Sequence, residues 1–383
     1  MKILHSAHLY PPEASGVSRI VSEIAQAIAA RGHEIHVATA SDSISPRYEI
    51  SAGVHVHRFP VSGNSVLGIH GDAASYIQFV LQGDWDCIVL YNAQIWTTDL
   101  LLEHLPHLPP TILSLQGLSA ASDPRYSRYL EVLATAAVHF QRIVCVSRSS
   151  EDWTFFSRHQ PNKVAVIPNG VDWQEWDSPP RDLRAKWGIG DRPWVVNVSN
   201  HNPAKNHALL FRTVHLMKLR MPDLAVTLIG THHLQQRWPQ LSILHLRGGC
   251  WYACRWAVRR HSFVTLSAQL PRVDVVSCIQ EADAFLLTSS WEASPVVIGE
   301  AMAAATPWVS TDVGDVREHA GGIVRTSAVD LANSCVALLT NPAQRRALGD
   351  AGRGAMRQRS WDKIATEYEV IYRQLLEWRA ANS

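Results

Sequence analysis

The sequence has few cysteines and almost no net charge, and these two shortages exclude several classes of protein. Six cysteines are scattered through 383 residues. This density is too low for a disulfide-stabilised secreted domain, so we expect reduced thiols packed as small apolar groups. Lysine plus arginine number 35, and aspartate plus glutamate number 34. The balance gives no global charge bias of the kind that marks a nucleic-acid-binding protein.

Long apolar runs and a secretion signal are also missing. The apolar stretch after Pro295 is interrupted by Glu300, and no run reaches the roughly 18 residues that suggest a membrane-spanning helix. Residues 1–6 do not form the apolar core of a signal peptide. The sequence therefore predicts a cytoplasmic protein, with peripheral contact at the inner face of the cell membrane as an open alternative.

Two familiar binding patterns are incomplete. The first strand-to-helix turn, residues 11–16, lacks the three spaced glycines of a dinucleotide-binding loop, which disfavours a hydride-transfer enzyme. Cys250 and Cys254, with His245 and His261 nearby, suggest zinc ligands. However, three residues separate the two cysteines and no second cysteine pair follows. The sequence predicts neither a metal site nor a cofactor.

The length of the chain and its alternating patterns predict two α/β domains. A chain of 383 residues is too long for one typical core. Short apolar runs typical of buried strands alternate with helical patterns, which predicts parallel sheets with helices on both faces. We assign 1–175 to an N-terminal Rossmann-like domain, 176–192 to a linker, 193–358 to a C-terminal Rossmann-like domain, and 359–383 to a helix that crosses back to the first.

The stretch 247–261 does not fit this alternation. It mixes aromatic and cationic residues and follows neither the helical nor the strand period well. We interpret it as a partly ordered excursion, in which aromatic residues beside cysteines belong to a local core. Contact of its aromatic and cationic side chains with a sugar or a lipid phosphate is the alternative.

Two carboxylates flank a predicted helix start in the second half. Glu292 and Glu300 have seven residues between them. A buried strand ends just upstream, and the apolar pattern from 295 to 305 predicts a helix. Ser294 fits the N-cap position, with Pro295 as the first helical residue. The carboxylates therefore lie at a strand-to-helix junction.

The predicted helix start is suited to an anion. The N–H groups of Val296 and Val297 would have no partner within the helix and would lie at the positive end of its dipole, where a diphosphate fits. Glu292 and Glu300 would repel a diphosphate, so we expect them to accept hydrogen bonds from ribose or hexose hydroxyls. The alternative is an exposed loop acid and an ordinary helix glutamate.

Two more motifs accompany this junction. Residues 197–207 follow the first strand of the second half and place Lys205 at a helix start, where its ammonium can neutralise a leaving phosphate. A solvated lysine is the alternative. Residues 167–172 contain an Asn-Gly turn at the predicted domain junction, which we interpret as a structural hinge.

Together these motifs resemble the GT-B retaining glycosyltransferases of family 4, which build envelope polysaccharides, glycolipids and related glycosides. The two-glutamate motif is the specific part of the resemblance. The resemblance implies an α/β protein with two Rossmann-like domains whose parallel sheets face a central cleft, an acceptor domain first and a nucleotide-sugar donor domain second. The stretches that carry it are 11–16, 167–172, 197–206, 292–303 and 311–318.

The resemblance also implies roles for individual residues. Glu292 would hold donor-sugar hydroxyls, Glu300 the nucleotide ribose, and Lys205 the departing diphosphate. Glu292, Lys205 and Gln116 form the implied catalytic set. Transfer would retain the anomeric configuration, through an oxocarbenium-like transition state and without a metal. The implied donor-binding residues are Ser15, Gly16, Asn200, Lys205, Glu292, Ser294, Pro295, Val296, Val297 and Glu300.

Two residues depart from the family pattern. Asn200 stands where many relatives have an arginine, so one positive charge on the diphosphate is missing. Gln116 stands where relatives often have a histidine, and glutamine cannot act as a base. The predicted partners are a nucleotide-sugar donor and a saccharide or lipid-linked acceptor, with no nucleic acid. A catalytically weak sugar-nucleotide-binding protein and a sugar-nucleotide epimerase remain the alternatives.

Overall fold

A computed structural model of the chain shows two compact α/β units. It describes residues 1–13, 15–42, 44–118, 123–230, 249–267 and 270–382. The first unit comprises Met1–Gly170 and Trp361–Ser383, and the second comprises Val171–Ser360. Each unit has its own sheet and its own apolar core.

The first unit is built on a mostly parallel sheet. Its strands are β1 (Lys2–Ser6), β2 (Glu34–Ala40), β3 (Tyr48–Ser51), β4 (Val54–Phe59), β5 (Val61–Asn64), β6 (Gly68–Gly71), β7 (Cys87–Tyr91), β8 (Thr111–Ser114), β9 (Arg142–Cys145) and β10 (Val164–Val166). Within the described ranges, the main sheet has the order β10-β9-β8-β7-β1-β2-β4-β3. Only β3 pairs antiparallel there, with β4, and β5 and β6 form a separate hairpin. The predicted parallel sheet is confirmed.

The first helix of this unit follows directly from its apolar spacing. Ser15 caps it, because its Oγ accepts a hydrogen bond from the N–H of Ser18 at 3.0 Å. Ile20, Ile24 and Ile28 lie on its buried face. The helices of this part of the chain are α1 (Gly16–Ala29), α2 (Ala73–Gln82), α3 (Trp96–Asp99), α4 (Ser127–Ala136) and α5 (Glu151–His159).

The second unit has a parallel sheet with a classical Rossmann order. Its strands are β11 (Trp194–Val198), β12 (Ala225–Ile229), β13 (Val264–Ser267), β14 (Ala284–Leu287), β15 (Trp308–Ser310) and β16 (Gly322–Val324). They lie in the order β13-β12-β11-β14-β15-β16, and every pair is parallel. Its helices are α6 (Trp173–Trp176), α7 (Leu183–Lys186), α8 (His207–Lys218), α9 (Gly249–Arg260), α10 (Arg272–Glu281), α11 (Val296–Ala303), α12 (Ala328–Thr340) and α13 (Pro342–Met356).

Residues 176–192, predicted as a linker, are part of the second unit. Trp176, Leu183 and Ile189 are buried in its core. The N–H group of Leu183 donates to the Glu281 carboxylate at 2.9 Å. The segment is attached to the second unit mainly because burial of its large apolar side chains is strongly favourable. Its tryptophan, proline and arginine content therefore does not indicate a linker.

The stretch 247–261, predicted as a partly ordered excursion, contains the regular helix α9. Cys254 is buried in the core of the second unit, whereas Tyr252 and Trp256 are exposed. The local-core interpretation therefore applies to the cysteine and not to these two aromatic residues. The helical period explains the difference, since residues one turn apart share a face.

The last helix, α14 (Trp361–Asn382), packs within the first unit. Tyr368 and Tyr372 are buried. Their hydroxyls make hydrogen bonds with Ser114 Oγ at 2.7 Å and with His5 Nε2 at 3.2 Å. Trp378, which shares their predicted face, is half exposed. Neither α14 nor any other helix in the described part of the chain is long and apolar enough to cross a membrane.

A charged network around Glu369 connects α14 to the residues that follow α1. The Glu369 carboxylate contacts His33 Nε2 and Arg31 Nη1, both at 3.0 Å. Hydrogen bonding to His33, and then to Arg31 and Arg373, holds the pKa of Glu369 below its ordinary value of 4.5 against the opposing effect of burial. A lowered carboxyl pKa stabilises the folded state above the unfolded value, and this stabilisation is lost as pH falls.

Glu369→Gln should lower the free energy of unfolding at pH 7 by up to about 1 kcal/mol, because it removes the charge from a partly exposed ion-pair network. The difference from wild type should narrow as pH falls below about 4, where the wild-type carboxyl also becomes protonated. Urea unfolding across pH 3 to 8 measures this. Glu377→Gln, an exposed change on the same helix, is the control, and a constant Glu369→Gln difference over that range would contradict the prediction.

Candidate functional site

Two loops meet at the topological switch point of the second sheet. β11 lies between β12 and β14. The chain runs from β11 to β12 and β13 on one side, and then returns to form β14, β15 and β16 on the other side. The loops that leave the carboxyl ends of β11 and β14 therefore lie at the position where open α/β sheets bind ligands. Residues 199–206 follow β11 and residues 288–295 follow β14.

Lys205 and Glu292 form an ion pair at this switch point. Lys205 Nζ lies 2.5 Å from Glu292 Oε1, which also accepts a hydrogen bond from Ser289 Oγ at 2.6 Å. The side chains are 22% and 11% exposed. The backbones of the two loops are joined as well, since the N–H of Ser290 donates to the carbonyl of Ala204 at 2.7 Å. The structure therefore brings together the predicted phosphate-binding cation and the predicted sugar-binding acid.

The helix after Glu292 begins one residue later than predicted. Pro295 occupies the N-cap position with φ −70° and ψ 105°, and α11 starts at Val296. Ser294 is therefore not the N-cap, because the extended ψ of Pro295 delays the first helical turn. The N–H of Ile298 already bonds to the Pro295 carbonyl, whereas Val296 and Val297 have no acceptor within the helix. Their N–H groups and the helix dipole make this end favourable for an anion.

Glu300 lies one turn into α11 and is held by an arginine. Its side chain is 6% exposed, and its Oε1 lies 2.7 Å from Arg272 Nη2. Arg272 also binds Glu175, with Nε to Oε1 at 2.7 Å and Nη2 to Oε2 at 2.8 Å. Burial lowers the pKa of Arg272, but the two carboxylates outweigh this effect and raise its pKa above the ordinary value. The guanidinium thus pairs with both carboxylates and orients Glu300.

A glycine keeps the next loop close to Glu292. Gly314 has φ +52°, and a Cβ there would lie 2.3 Å from the carbonyl oxygen of Ala293. Any larger residue would push the loop after β15 away from the residue next to Glu292. The absence of a side chain at Gly314 therefore allows the loop after β15 to lie against the backbone of the two-glutamate motif.

The remaining predicted residues have varied settings. Asn200 follows β11, and its carbonyl accepts a hydrogen bond from the N–H of Asn202 at 3.0 Å. In the first unit, Ser15 caps α1 and Gly16 is its first residue. Gln116 follows β8, and its N–H donates to Asn92 Oδ1 at 2.6 Å. Ser15, Gly16 and Gln116 are thus positioned by the first sheet, as residues at the carboxyl ends of its strands.

Sequence patterns missed Arg272, Glu175 and Ser289. Arg272 begins a predicted helix and Glu175 is the last residue of the predicted N-terminal domain, and no local spacing connects them to Glu300. Ser289 lies three residues before Glu292, but a serine after a strand is too common to single out. These residues belong to the site because they contact residues elsewhere in the sequence, and the periodicity of the sequence does not reveal such contacts.

Family models match both units. The model described as Glycosyltransferase Family 4 matches residues 14–175, and the one described as Glycosyl transferases group 1 matches residues 192–341. The first match begins within the loop before α1 and the second ends just after α12. Together they include every predicted site residue.

Curated relatives are distant but consistent with these models. The chain is 26% identical over 262 residues to an alpha-maltose-1-phosphate synthase of Mycolicibacterium smegmatis, a match that covers 63% of this chain and 65% of the relative. This chain therefore spans less than two thirds of that relative. It is 24% identical over 419 residues to a D-inositol 3-phosphate glycosyltransferase of Actinosynnema mirum, covering 97% of this chain and 95% of the relative.

Solved structures share the fold over nearly the whole chain. A sucrose-phosphate synthase from Thermosynechococcus elongatus matches with a TM-score of 0.79 at 18% identity, over 98% of this chain and 99% of that one. Anabaena Alr3699/HepE in complex with UDP-glucose matches with a TM-score of 0.73 at 18% identity, over 100% of both chains. The folded units and the matched family models lead to one conclusion: the chain has the GT-B fold and belongs to glycosyltransferase family 4.

Proposed function

We propose that the protein transfers a hexose from a nucleoside-diphosphate sugar to a hydroxyl group of a saccharide or lipid-linked acceptor, with retention of the anomeric configuration. The synthesis of envelope polysaccharide or glycolipid is the setting that we propose for this reaction. The observation that carries the proposal is the Lys205–Glu292 ion pair at the start of α11. The cation and the helix N-terminus there suit the negative charge of a diphosphate, and the acid suits the hydroxyl groups of the attached sugar.

The diphosphate would bind to the positive groups of this site. The N–H groups of Val296 and Val297 and the dipole of α11 would face the phosphate oxygens. Lys205 would exchange part of its contact with Glu292 for the phosphate next to the sugar. Asn200 would add a neutral hydrogen bond in place of an arginine, so Lys205 would be the main full positive charge on the diphosphate.

The two glutamates would then bind hydroxyl groups, for which carboxylates are good acceptors. Release of Lys205 would leave Glu292 to accept hydrogen bonds from the hexose. Glu300 would accept them from the ribose, one helical turn further along α11. Arg272 supports this role because its ion pair with Glu300 fixes that carboxylate in a largely buried position.

In the transfer step, the bond between the anomeric carbon and the phosphate oxygen breaks, and its electron pair goes to the diphosphate. The acceptor oxygen forms the new bond on the same face of the sugar, and its proton passes to the departing phosphate. Positive charge develops on the sugar ring and negative charge on the diphosphate. Lys205 and the start of α11 would stabilise the latter, so the step needs no metal ion at the phosphates.

A panel of UDP-, GDP- and ADP-hexoses tests this proposal in two stages. Ligand at 100 times its Kd stabilises the folded state by about 2.7 kcal/mol, which corresponds to roughly 5 to 10 °C in Tm for a unit of this size. The donor that gives this shift should then be hydrolysed slowly without acceptor. Proton NMR should show the released hexose first as the anomer present in the donor, at a rate that added Mg²⁺ does not raise.

Each stage has an outcome that contradicts the proposal. A chain that is stabilised by no sugar nucleotide is not a transferase of this kind. Release of the opposite anomer would exclude retention. Binding followed by an epimerised nucleotide sugar, with no released hexose, would favour an epimerase, and binding without any turnover would favour a sugar-nucleotide-binding protein.

A further inference from the structure

Four side chains with the chemistry of soft-metal ligands converge in the second unit. His201 lies in the loop after β11, His207 is the first residue of α8, and Cys250 and Cys254 are one turn apart on α9. One ligand atom from each lies within 4.8 Å of all the others. We call these four residues the His/Cys cluster. Among the residues that the structure describes, it is the one group of this kind.

The cluster is largely withdrawn from solvent. His201, His207 and Cys254 are 4%, 3% and 1% exposed. Nδ1 of His201 lies 3.8 Å from Cys250 Sγ, a long contact even for sulfur. Its Nε2 is buried without a hydrogen-bond partner in the described ranges. A buried polar atom without a partner costs about 1 to 3 kcal/mol, so the side chains described around His201 do not satisfy its ring.

A chain of hydrogen bonds from Asn197 through Ser199 to His207 shows that Nε2 of the His207 ring carries a proton. Asn197 Nδ2 donates to the Leu286 carbonyl, which leaves Asn197 Oδ1 as an acceptor for the Ser199 hydroxyl at 2.6 Å. Ser199 Oγ must then accept the hydrogen bond from His207 Nε2 at 2.8 Å. Nε2 therefore carries a proton, and Nδ1 faces Cys250 Sγ at 3.0 Å, where it is placed to act as a ligand. A histidine held in this way by its outer nitrogen is typical of a metal ligand.

Spacing and charge favour zinc. Three residues separate the cysteines and five separate the histidines, and both values fall within the ranges of Cys₂His₂ sites. Two thiolates and two neutral imidazoles cancel the charge of a divalent ion, which suits a buried position. Tetrahedral zinc has Zn–S of about 2.3 Å and Zn–N of about 2.0 to 2.1 Å, which places its ligand atoms roughly 3.3 to 3.8 Å apart. In the cluster, His207 Nδ1 lies 3.0 Å and His201 Nδ1 lies 3.8 Å from Cys250 Sγ, and all four ligand atoms lie within 4.8 Å of one another. Zinc binding would therefore lengthen the shortest of these separations and shorten the longest by up to about 1 Å.

We propose that His201, His207, Cys250 and Cys254 bind one zinc ion as a closed structural site. Four protein ligands leave no position for water or substrate, so the ion has no part in the transfer chemistry. It joins the loop after β11 to α9, on both sides of Lys205. The ion therefore fixes the backbone that carries the proposed phosphate-binding cation.

This proposal replaces the sequence-based expectation that the chain has no metal site. The sequence pointed to His245 and His261 as the nearest histidines to the cysteines. His261 instead packs against Phe211 and His215, and His245 lies outside the described residues. The actual histidines precede the cysteines by more than 40 residues, in the motif that contains Lys205.

The full chain, prepared without a histidine tag, provides the test. Wild-type protein should contain about one zinc per chain by elemental analysis. Replacement by Co²⁺ should give the intense visible bands and the thiolate charge-transfer band of a tetrahedral site. This spectrum needs no mutant, so it does not depend on how a variant folds. Removing the ion with a strong chelator should lower Tm, because binding to the folded state stabilises it.

Matched variants identify the ligands. Cys250→Ala and Cys254→Ala should lose the zinc and the chelator effect on Tm. Cys278→Ala, which changes a buried cysteine elsewhere in the same unit, and His261→Ala should keep both. Ser199→Ala should weaken zinc binding roughly 10- to 100-fold, because it removes the hydrogen bond that orients His207.

Two results would overturn the proposal. Wild-type protein that neither contains zinc nor takes it up at micromolar concentration has no such site. Zinc retained equally by Cys250→Ala and Cys254→Ala belongs to other ligands. Both readouts are independent of glycosyl transfer, so the zinc proposal and the proposed function can fail separately.

Discussion

Replacing Lys205 by glutamine is expected to lower kcat by roughly 100- to 1,000-fold, the usual effect of removing one group that stabilises transition-state charge. Lys205 meets Glu292 at 2.5 Å at the end of the sheet, where the negative charge of a departing diphosphate would develop. Glutamine has a similar reach but no charge. The loss should appear mainly in kcat, with a smaller change in KM, because the interaction strengthens as the bond to the sugar breaks.

Steady-state kinetics with two companion variants separate this effect from a general disturbance. Lys205→Arg keeps the charge and should retain much more activity than Lys205→Gln. Lys186→Gln changes an exposed lysine of the same unit and should leave kcat unchanged. Urea unfolding of each variant shows whether Glu292, left without its cation, affects the fold. A kcat for Lys205→Gln within threefold of wild type would rule out the proposed role.

Glu300→Ala is expected to lower kcat/KM by roughly 100-fold. Two hydrogen bonds from ribose hydroxyls to a carboxylate, at about 1.5 kcal/mol each, together contribute about 3 kcal/mol. Arg272 would keep Glu175 as a partner in the variant, since it binds both acids. Most of the fold should therefore survive. Glu300→Gln, which keeps the shape and loses the charge, should fall between wild type and Glu300→Ala.

Calorimetry with a modified nucleotide locates the effect on the ribose. The affinity for the nucleoside diphosphate of the preferred donor should fall in Glu300→Ala, while the affinity for its 2′,3′-dideoxy analogue should change little. Asp350→Asn, an exposed acid on α13, should alter neither. An equal loss for both nucleotides would mean that Glu300 acts through the structure of α11 and not through ribose hydroxyls.

The alternation of apolar strands and amphipathic helices was enough to predict the layers of both units. Parallel strands flanked by helices are buried on both faces and read as short apolar runs, which is why β7, β11 and β14 were recognisable. The β3–β4 pair was not predicted. Its residues form an edge hairpin with exposed positions on β3, and such strands lack the apolar signal.

The linker and α9 show where local patterns mislead. Residues 176–192 have no clear period, yet Trp176 and Leu183 are buried because α10 and its neighbours cover them. The α9 segment has a mixed composition, yet it folds as a helix that buries Cys254 and exposes Trp256. In both cases, packing against distant elements decided the conformation more than intrinsic preference did.

The sequence by itself determined the two-sheet architecture and placed Lys205, Glu292 and Glu300 near strand-to-helix junctions, because strand period and motif spacing are local properties of the chain. It did not determine the residue at which α11 begins. The tertiary structure alone decided which side chains meet. It paired Lys205 with Glu292, enclosed Glu300 with Arg272, and brought His201 and His207 to Cys250 and Cys254. These contacts join residues far apart in sequence, and the order of the strands together with the packing of α8, α9, α10 and α11 determines their proximity.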